Sequence, residues 1–277
     1  MNITAKTGLL MVYHSGSGST RIINDILKEK LSDRYDITLK EIDRKLDLSI
    51  FDEHELIIFS FPTFGCEPPQ SMREFIERLP AYENSKKAYV FTTCALYQEN
   101  CLRHFIQSIE KKNILTFNYA CIKGPASDGA LFFPEKWKFI WNYEKNIHSK
   151  IENITAEIIK MSENTLKKSK IPLYKWYTPL NRAMLFFLEK QYESLKESIH
   201  LLPDRCVNCN LCVKSCHRES WKASDNNPVF SPENCELCLK CIHNCPHNAI
   251  IITDGMKDRP RLNKAFYSKK KQEILFE

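Results

Sequence analysis

Apolar residues in the first 125 positions come in short blocks separated by polar, helix-spaced stretches. Residues 8–13 (Gly-Leu-Leu-Met-Val-Tyr), Leu56–Phe61 and Ala88–Thr93 are compact apolar runs, as expected of strands buried on both faces of a parallel sheet. Residues 35–42 alternate instead, with Tyr35, Ile37 and Leu39 on one side, which predicts a half-exposed strand. Ile114–Ile122 is the last of the series. Between these runs, Thr20–Leu31, Gln70–Leu79 and Cys101–Ile109 repeat apolar residues at helical spacing. Strand and helix alternate throughout, so the pattern predicts an α/β domain with a parallel sheet.

The pattern then changes. Residues 135–162 predict one amphipathic helix, with Trp137, Ile140, Trp141, Ile147, Ile151, Ile154 and Ile158 along one side. Residues 163–178 are polar, contain Pro172 and precede Pro179, and read as a connector. Pro179–His200 predicts a second helix whose stripe is Leu180, Met184, Phe187, Leu188, Tyr192, Leu195 and Ile199. No glycine occurs between Gly129 and Gly255. A flexible glycine linker is therefore absent from this stretch, and the two halves are expected to sit in fixed relation.

Composition adds two oddities. The 277 residues include only 7 glycines, well under half the share expected from an average usage of roughly 7%. They also include 12 cysteines. The apolar run near the N-terminus leads straight into Ser15-Gly16-Ser17-Gly18-Ser19 with no cleavage site, unlike a signal peptide. No apolar run approaches the ~20 residues of a membrane span. A cytoplasmic location is expected, where clustered cysteines read as metal ligands rather than disulfides. The net charge is +6. Residues 256–277 carry seven lysines and arginines against three acids. With no nucleic-acid motif present, this stretch reads as a solvated basic tail.

Eight cysteines fall in two runs, Cys206-x2-Cys209-x2-Cys212-x3-Cys216 and Cys235-x2-Cys238-x2-Cys241-x3-Cys245-Pro246, offset by 29 residues. Their flanks echo each other: Pro203 matches Pro232, Asp204 matches Glu233, and Val213 matches Ile242. Three cysteines three apart on a tight turn can grip three irons of a cubane cluster, while the fourth points elsewhere. Zinc sites prefer cysteine pairs separated by a longer loop. The spacing resembles that of the bacterial two-cluster ferredoxins over about residues 200–255. That resemblance implies that Cys206, Cys209, Cys212 and Cys245 hold one [4Fe–4S] cluster, and that Cys235, Cys238, Cys241 and Cys216 hold a second. One departure is Cys216-His217, where the family usually has Cys-Pro. His243, inside the second run, and His247, just after it, read as solvated, with tuning of the second cluster as the alternative.

His14-Ser15-Gly16-Ser17-Gly18-Ser19-Thr20 lies between the first strand and the first helix. A loop in that position offers backbone N–H groups and a helix N-terminus to an anion. It is neither a Walker loop nor a Gly-x-Gly-x-x-Gly fingerprint, since residue 21 is Arg. It resembles the flavodoxin phosphate loop, Ser/Thr-x-Thr-Gly-x-Thr, with Ser15, Ser17, Gly18 and Thr20 at the matching positions. By the same resemblance Pro62-Thr63-Phe64-Gly65 and Thr93-Cys94-Ala95-Leu96-Tyr97 flank the isoalloxazine ring of FMN. Tyr97 is either a ring-stacking or an ordinary aromatic residue. Cys66, Cys94, Cys101 and Cys121 lie outside the two runs and read as core thiols; Cys66 and Cys94 fall beside the ring-flanking loops, where a catalytic or redox thiol is the alternative.

The whole chain resembles flavodoxin–ferredoxin fusions, a family common in anaerobes. The resemblance implies a doubly wound parallel sheet of order 2-1-3-4-5, a helical connector and a small α+β two-cluster domain. The expected division is 1–162 (FMN-binding), 163–200 (connector), 201–255 (two clusters) and 256–277 (tail). The implied function is electron transfer between the clusters and FMN, with redox proteins as partners and neither nucleic acid nor membrane. One alternative is an FMN-dependent reductase of a small molecule. Another is a non-redox protein that binds zinc and a phosphate ligand. If the halves lay too far apart within one chain, a homodimer would supply their contact.

Overall fold

In a computed structural model describing residues 6–176 and 192–276, the first half is an α/β layer. Strands β1 (Thr7–Tyr13), β2 (Tyr35–Glu41), β3 (Leu56–Pro62), β4 (Lys86–Cys94) and β5 (Ile114–Lys123) form one sheet of order β2-β1-β3-β4-β5. Every pairing is parallel. This is the flavodoxin-like doubly wound order, whose ligands bind outside the carboxyl ends of the strands. The compact apolar runs are the central strands. The alternating run is β2, at the sheet edge and half-buried.

Two cores follow from the two faces of the sheet. On one face, Leu9, Met11 and Tyr89 meet helices α1 (Ser19–Leu31) and α5 (Ile147–Ser162). On the other, Leu10, Phe59 and Val90 meet α2 (Gln70–Arg78) and α3 (Cys101–Glu110). The short helix α4 (Ser127–Phe132) follows β5.

The single helix expected over 135–162 forms only from Ile147. Residues before it satisfy the sheet end instead: Ala126 N–H donates to the Ile140 carbonyl and Glu144 N–H to that of Lys123. Ile140 is buried there, whereas Trp137 stays 40% exposed, stacked between Phe133 and Phe139. Most of the helix expected over Pro179–His200 lies outside the described residues; residues 192–197 are helical.

The second half is small and nearly strandless. Two-residue strands β6 (His200–Leu201) and β9 (Ile250–Ile251) pair antiparallel, as do β7 (Trp221–Lys222) and β8 (Val229–Phe230). Helices α6 (Leu211–Ser215) and α7 (Lys240–Asn244) each carry the last two cysteines' approach in a run. Its core includes Ile199, Trp221 and Ile251, together with Leu131 from α4.

The basic stretch after residue 255 is not a solvated tail. Helix α8 (Lys264–Phe276) packs back on α1 and α5. Leu262, Tyr267 and Ile274 are buried in the α/β core. Its cations meet partners of the first half, Lys271 with Glu29 and Lys270 with Asn142. No helix among the described residues is long and apolar enough to cross a membrane.

Candidate functional site

At the carboxyl ends of β1, β3 and β4 lies a cavity of about 1270 Å³. The residues expected to bind a phosphate and flank a ring line it, Ser15 and Gly18 excepted. Tyr97 stands at its rim, exposed. The Gly65-Cys66 turn shapes one wall. Phe64 and Glu67 exchange backbone hydrogen bonds across it, and both central residues have positive φ (54° and 66°), the geometry of a type I′ hairpin.

The loop hydroxyls hold the loop's own shape. Ser15 Oγ accepts from the Arg21 amide at 3.3 Å. Thr20 Oγ1 and Thr93 Oγ1 are 2.9 Å apart, bridging two loops. Ser19 Oγ donates to the Tyr143 hydroxyl, which donates to the Ser19 carbonyl. Ser17 Oγ meets Tyr267 OH at 2.8 Å. A hydroxyl is donor and acceptor at once, so a Ser17 that accepts from Tyr267 keeps its own proton for an anion. The first helical hydrogen bond here is Ile22 N–H to Gly18 O; with the Arg21 amide taken by Ser15 Oγ, the amides of Ser19 and Thr20 are the orphan donors of the helix start. Gly18 has φ 142°, and a Cβ there would stand 2.6 Å from the Tyr267 ring.

The cysteine runs repeat in three dimensions as they do in sequence. Positive φ occurs in pairs 29 residues apart: Asn208 and Leu237, Asn210 and Leu239, Glu219 and Asn248. A leucine in this region is strained. The strain turns amides toward sulfur. The amides of Asn208 and Leu237 donate to Cys206 Sγ and Cys235 Sγ, both at 3.4 Å. Those of Ser220 and Ala249 donate to Cys216 Sγ and Cys245 Sγ, both at 3.3 Å. Such bonds stabilise thiolate and tune a cluster. Cys206, Cys209, Cys212 and Cys245 line one recess. Cys216, Cys235 and Cys241 neighbour one another in the second group. Burial pushes the Cys241 thiol up to about 12 and Cys212 up to about 11, so they stay protonated until a metal displaces the proton.

Residues 228–251 match the 4Fe-4S binding domain family. The chain thus fuses an α/β layer of flavodoxin-like strand order to a segment similar to 4Fe-4S binding domains. Relatives of the second part include an uncharacterised polyferredoxin-like protein of Methanocaldococcus jannaschii, 41% identical over 54 residues, 20% of this chain and 23% of that protein. An uncharacterised ferredoxin of the same organism is 28% identical over 109 residues, 37% of this chain and 74% of its own length. The fusion thus spans about a quarter of the polyferredoxin-like relative. Among solved structures, a flavodoxin of Streptococcus pneumonia TIGR4 aligns with 56% of this chain and 98% of its own, at 21% identity and a TM-score of 0.42.

In the fusion the two domains meet at the cavity. A Cβ on Gly16 would stand 2.6 Å from the carbonyl oxygen of Cys238. Beside this contact, Glu236 is buried and accepts from the Ser71 amide at 2.9 Å, from Ser71 Oγ at 3.0 Å and from His217 Nε2 at 2.5 Å. His14 lies edge-on to His217, its Nε2 3.2 Å from Glu236. Burial would raise the Glu236 carboxyl, but the hydrogen bonds from His217 and the Ser71 amide override it and hold it well below the usual range. Burial lowers His14 to about 3, so its ring is neutral. Around this centre, Arg218 pairs with Glu74 and Lys240 with Glu41. The contact between domains is made within one chain and needs no second copy.

His243, expected to be solvated, is fully buried. Its Nδ1 accepts from the Leu262 amide and its Nε2 donates to the Ser127 carbonyl, at 3.1 and 2.9 Å. The tautomer is thereby fixed, and burial lowers the ring to about 4. This histidine joins α4, α7 and the segment leading to α8.

The sequence reading missed Tyr267, Tyr143, Glu236 and His14 as parts of the site. It also missed Tyr192 and Lys196, which close the cavity from the connector side. One signal was available: His217 stands where the repeat places Pro246 in the other run, and its imidazole serves Glu236.

Proposed function

We propose that the chain is an electron relay between redox proteins, holding two [4Fe–4S] clusters and one FMN. Cys206, Cys209, Cys212 and Cys245 hold the first cluster; Cys235, Cys238, Cys241 and Cys216 hold the second. The amides from Gly16 to Thr20 and the Ser17 hydroxyl take the FMN phosphate. The Pro62–Gly65 and Thr93–Tyr97 loops flank its ring. When bound, FMN exchanges one or two electrons, whereas each cluster exchanges one.

The donor set fits a phosphate monoester. It combines a helix start, small residues and no carboxylate in the loop. The observation that carries the reading is the seat of Cys238 on Gly16, which makes the second cysteine group a neighbour of the phosphate loop. The first group lies outward. Cys209 is exposed, and so are Val207 and Leu211 beside it. A partner protein can dock over this apolar edge and reach the first cluster.

One feature favours a second reading, an FMN-dependent reductase. At about 1270 Å³ the cavity exceeds the ~300–1,000 Å³ of an ordinary ligand site, and Arg73, His104 and Lys196 stand on its wall. There is room for a small substrate beside the ring.

The test is anaerobic purification followed by a visible spectrum with iron, zinc and flavin assays. The expected result is about eight irons and one FMN per chain. In Gly18→Leu the new side chain drives into Tyr267; FMN is lost while iron stays. A colourless, zinc-loaded protein overturns the proposal, and unchanged FMN in Gly18→Leu overturns the phosphate-loop assignment.

A further inference from the structure

Two cysteines outside the cluster runs lie together at the cavity wall. Cys94 is the last residue of β4, and Cys121 lies in β5, the adjacent strand. The register sets Thr92 opposite Cys121 and Cys94 opposite Lys123, so the two thiols are diagonal neighbours on one face. Their sulfurs are 3.2 Å apart. Closing this gap to an S–S bond of ~2.05 Å takes about 1 Å of approach.

The surroundings treat the two thiols differently. Cys94 lines the cavity between Thr93 and Ala95. Cys121 sits behind it, and Lys150 Nζ donates to the Cys121 carbonyl at 2.9 Å. The hydrogen bond from Cys94 lowers the Cys121 thiol against its burial, and Lys150 adds to the lowering. The same bond, with burial, pushes Cys94 up. A thiolate-prone sulfur facing a protonated one is the arrangement that thiol–disulfide chemistry uses. Cys66 and Cys101 differ. Burial pushes Cys66 up to about 11, and Cys101 receives a hydrogen bond from Thr63 Oγ1 rather than from a sulfur.

We propose that Cys94 and Cys121 are a reversible dithiol/disulfide pair, a two-electron centre in the wall of the cavity. On oxidation two S–H bonds break and one S–S bond forms. The thiols give up two electrons and two protons to an oxidised isoalloxazine in the cavity, which becomes the two-electron, two-proton reduced form. The reverse step restores both thiols. The identity of the oxidant rests on the flavin reading above. The geometry of the pair does not.

The experiment uses the full chain, purified anaerobically, in FMN-loaded and flavin-depleted preparations. Each is treated with diamide, alkylated and digested, and the peptides are read by mass spectrometry. Diamide is expected to remove two alkylatable thiols in both preparations and to give one linked peptide joining residues 94 and 121, while Cys66 and Cys101 stay alkylated. In Cys121→Ser the link is lost and Cys94 is alkylated. A third arm adds oxidised FMN under argon to flavin-depleted protein; the link then forms in the wild-type chain, which takes the flavin up, and not in Gly18→Leu, which does not. Independent alkylation of Cys94 and Cys121 after diamide overturns the proposal, as does a link from either to Cys66 or Cys101. Linking by diamide in a chain that takes up no FMN keeps the pair and overturns the flavin as its oxidant.

Discussion

Gly16 and Cys238 face each other with no room for a side chain between them: a Cβ on residue 16 would approach the Cys238 carbonyl oxygen to 2.6 Å. One residue belongs to the loop after β1, the other to the loop of the second cysteine run. The atom in the way is backbone, so it cannot swing aside.

Gly16→Ala therefore separates the domains at this point or deforms one loop. Overpacking of this kind costs about 1–3 kcal/mol. The expected outcome is a lower midpoint in anaerobic thermal unfolding and slower flavin reduction when the clusters are reduced first. Iron content should not change. Stopped-flow absorbance reads both cofactors; a wild-type rate in Gly16→Ala would show that the contact plays no part in transfer.

Tyr267 acts on the loop of residues 15–20, proposed to hold the phosphate, from a distance of 250 residues in the chain. Tyr267→Phe removes one buried hydrogen bond, and a loss of about 0.5–1.5 kcal/mol is expected. Tyr267→Ala also empties the space over Gly18, and about 3–5 kcal/mol should be lost. FMN affinity should fall in the same order. Fluorescence titration of flavin-depleted protein measures it.

Acid should destabilise the protein through His14. The folded ring titrates near 3 because burial disfavours its charge, while the unfolded ring titrates at 6.5. Between these values the unfolded chain binds a proton that the folded chain does not. Stability is then full above pH 6.5 and declines as pH falls, by at most about 1.4 kcal/mol per pH unit. Below the ordinary carboxylate range Glu236 adds loss of the same sign, since its folded value is depressed. Urea unfolding across this range, compared with His14→Gln, isolates the histidine; equal slopes in the two proteins contradict its buried neutral state.

Residues 135–146 give a test of the corrected reading of that segment. Trp137→Ser should change stability by no more than about 0.5 kcal/mol, because the ring is stacked at the surface. Ile140→Ala should cost about 2–5 kcal/mol, because Ile140 is buried. A helix with both residues on its core face predicts comparable losses, so the ratio from denaturant melts decides between them.

Much of the α/β layer was legible because a buried strand needs an unbroken apolar run and a covering helix needs a stripe. The segments Leu56–Pro62 and Gln70–Arg78 differ from the sequence reading by a single residue at one end. Periodicity reports which side chains are hidden, not what hides them. Trp137 and Ile140 carry similar apolar signals, yet only one finds a partner surface. In α8 the lysines dominate the composition, and the residues that matter, Tyr267 and Ile274, are sparse among them. His243 gave no signal because its burial depends on two backbone groups, at Ser127 and Leu262, that only the tertiary fold brings near. The cysteine loops were legible for the opposite reason: their geometry is local and written twice.

The return of α8 to α1 and α5 has a mechanical consequence. The cluster-bearing segment leaves the α/β layer after α5 and rejoins it at α8, so it is anchored at both ends like an insert in a loop. A module tethered once can swing through a wide cone. Anchored twice, and braced by Glu236 against Ser71, this one is denied that swing. Proteolytic cleavage of a single connection would nick the chain without releasing the cysteine-bearing module.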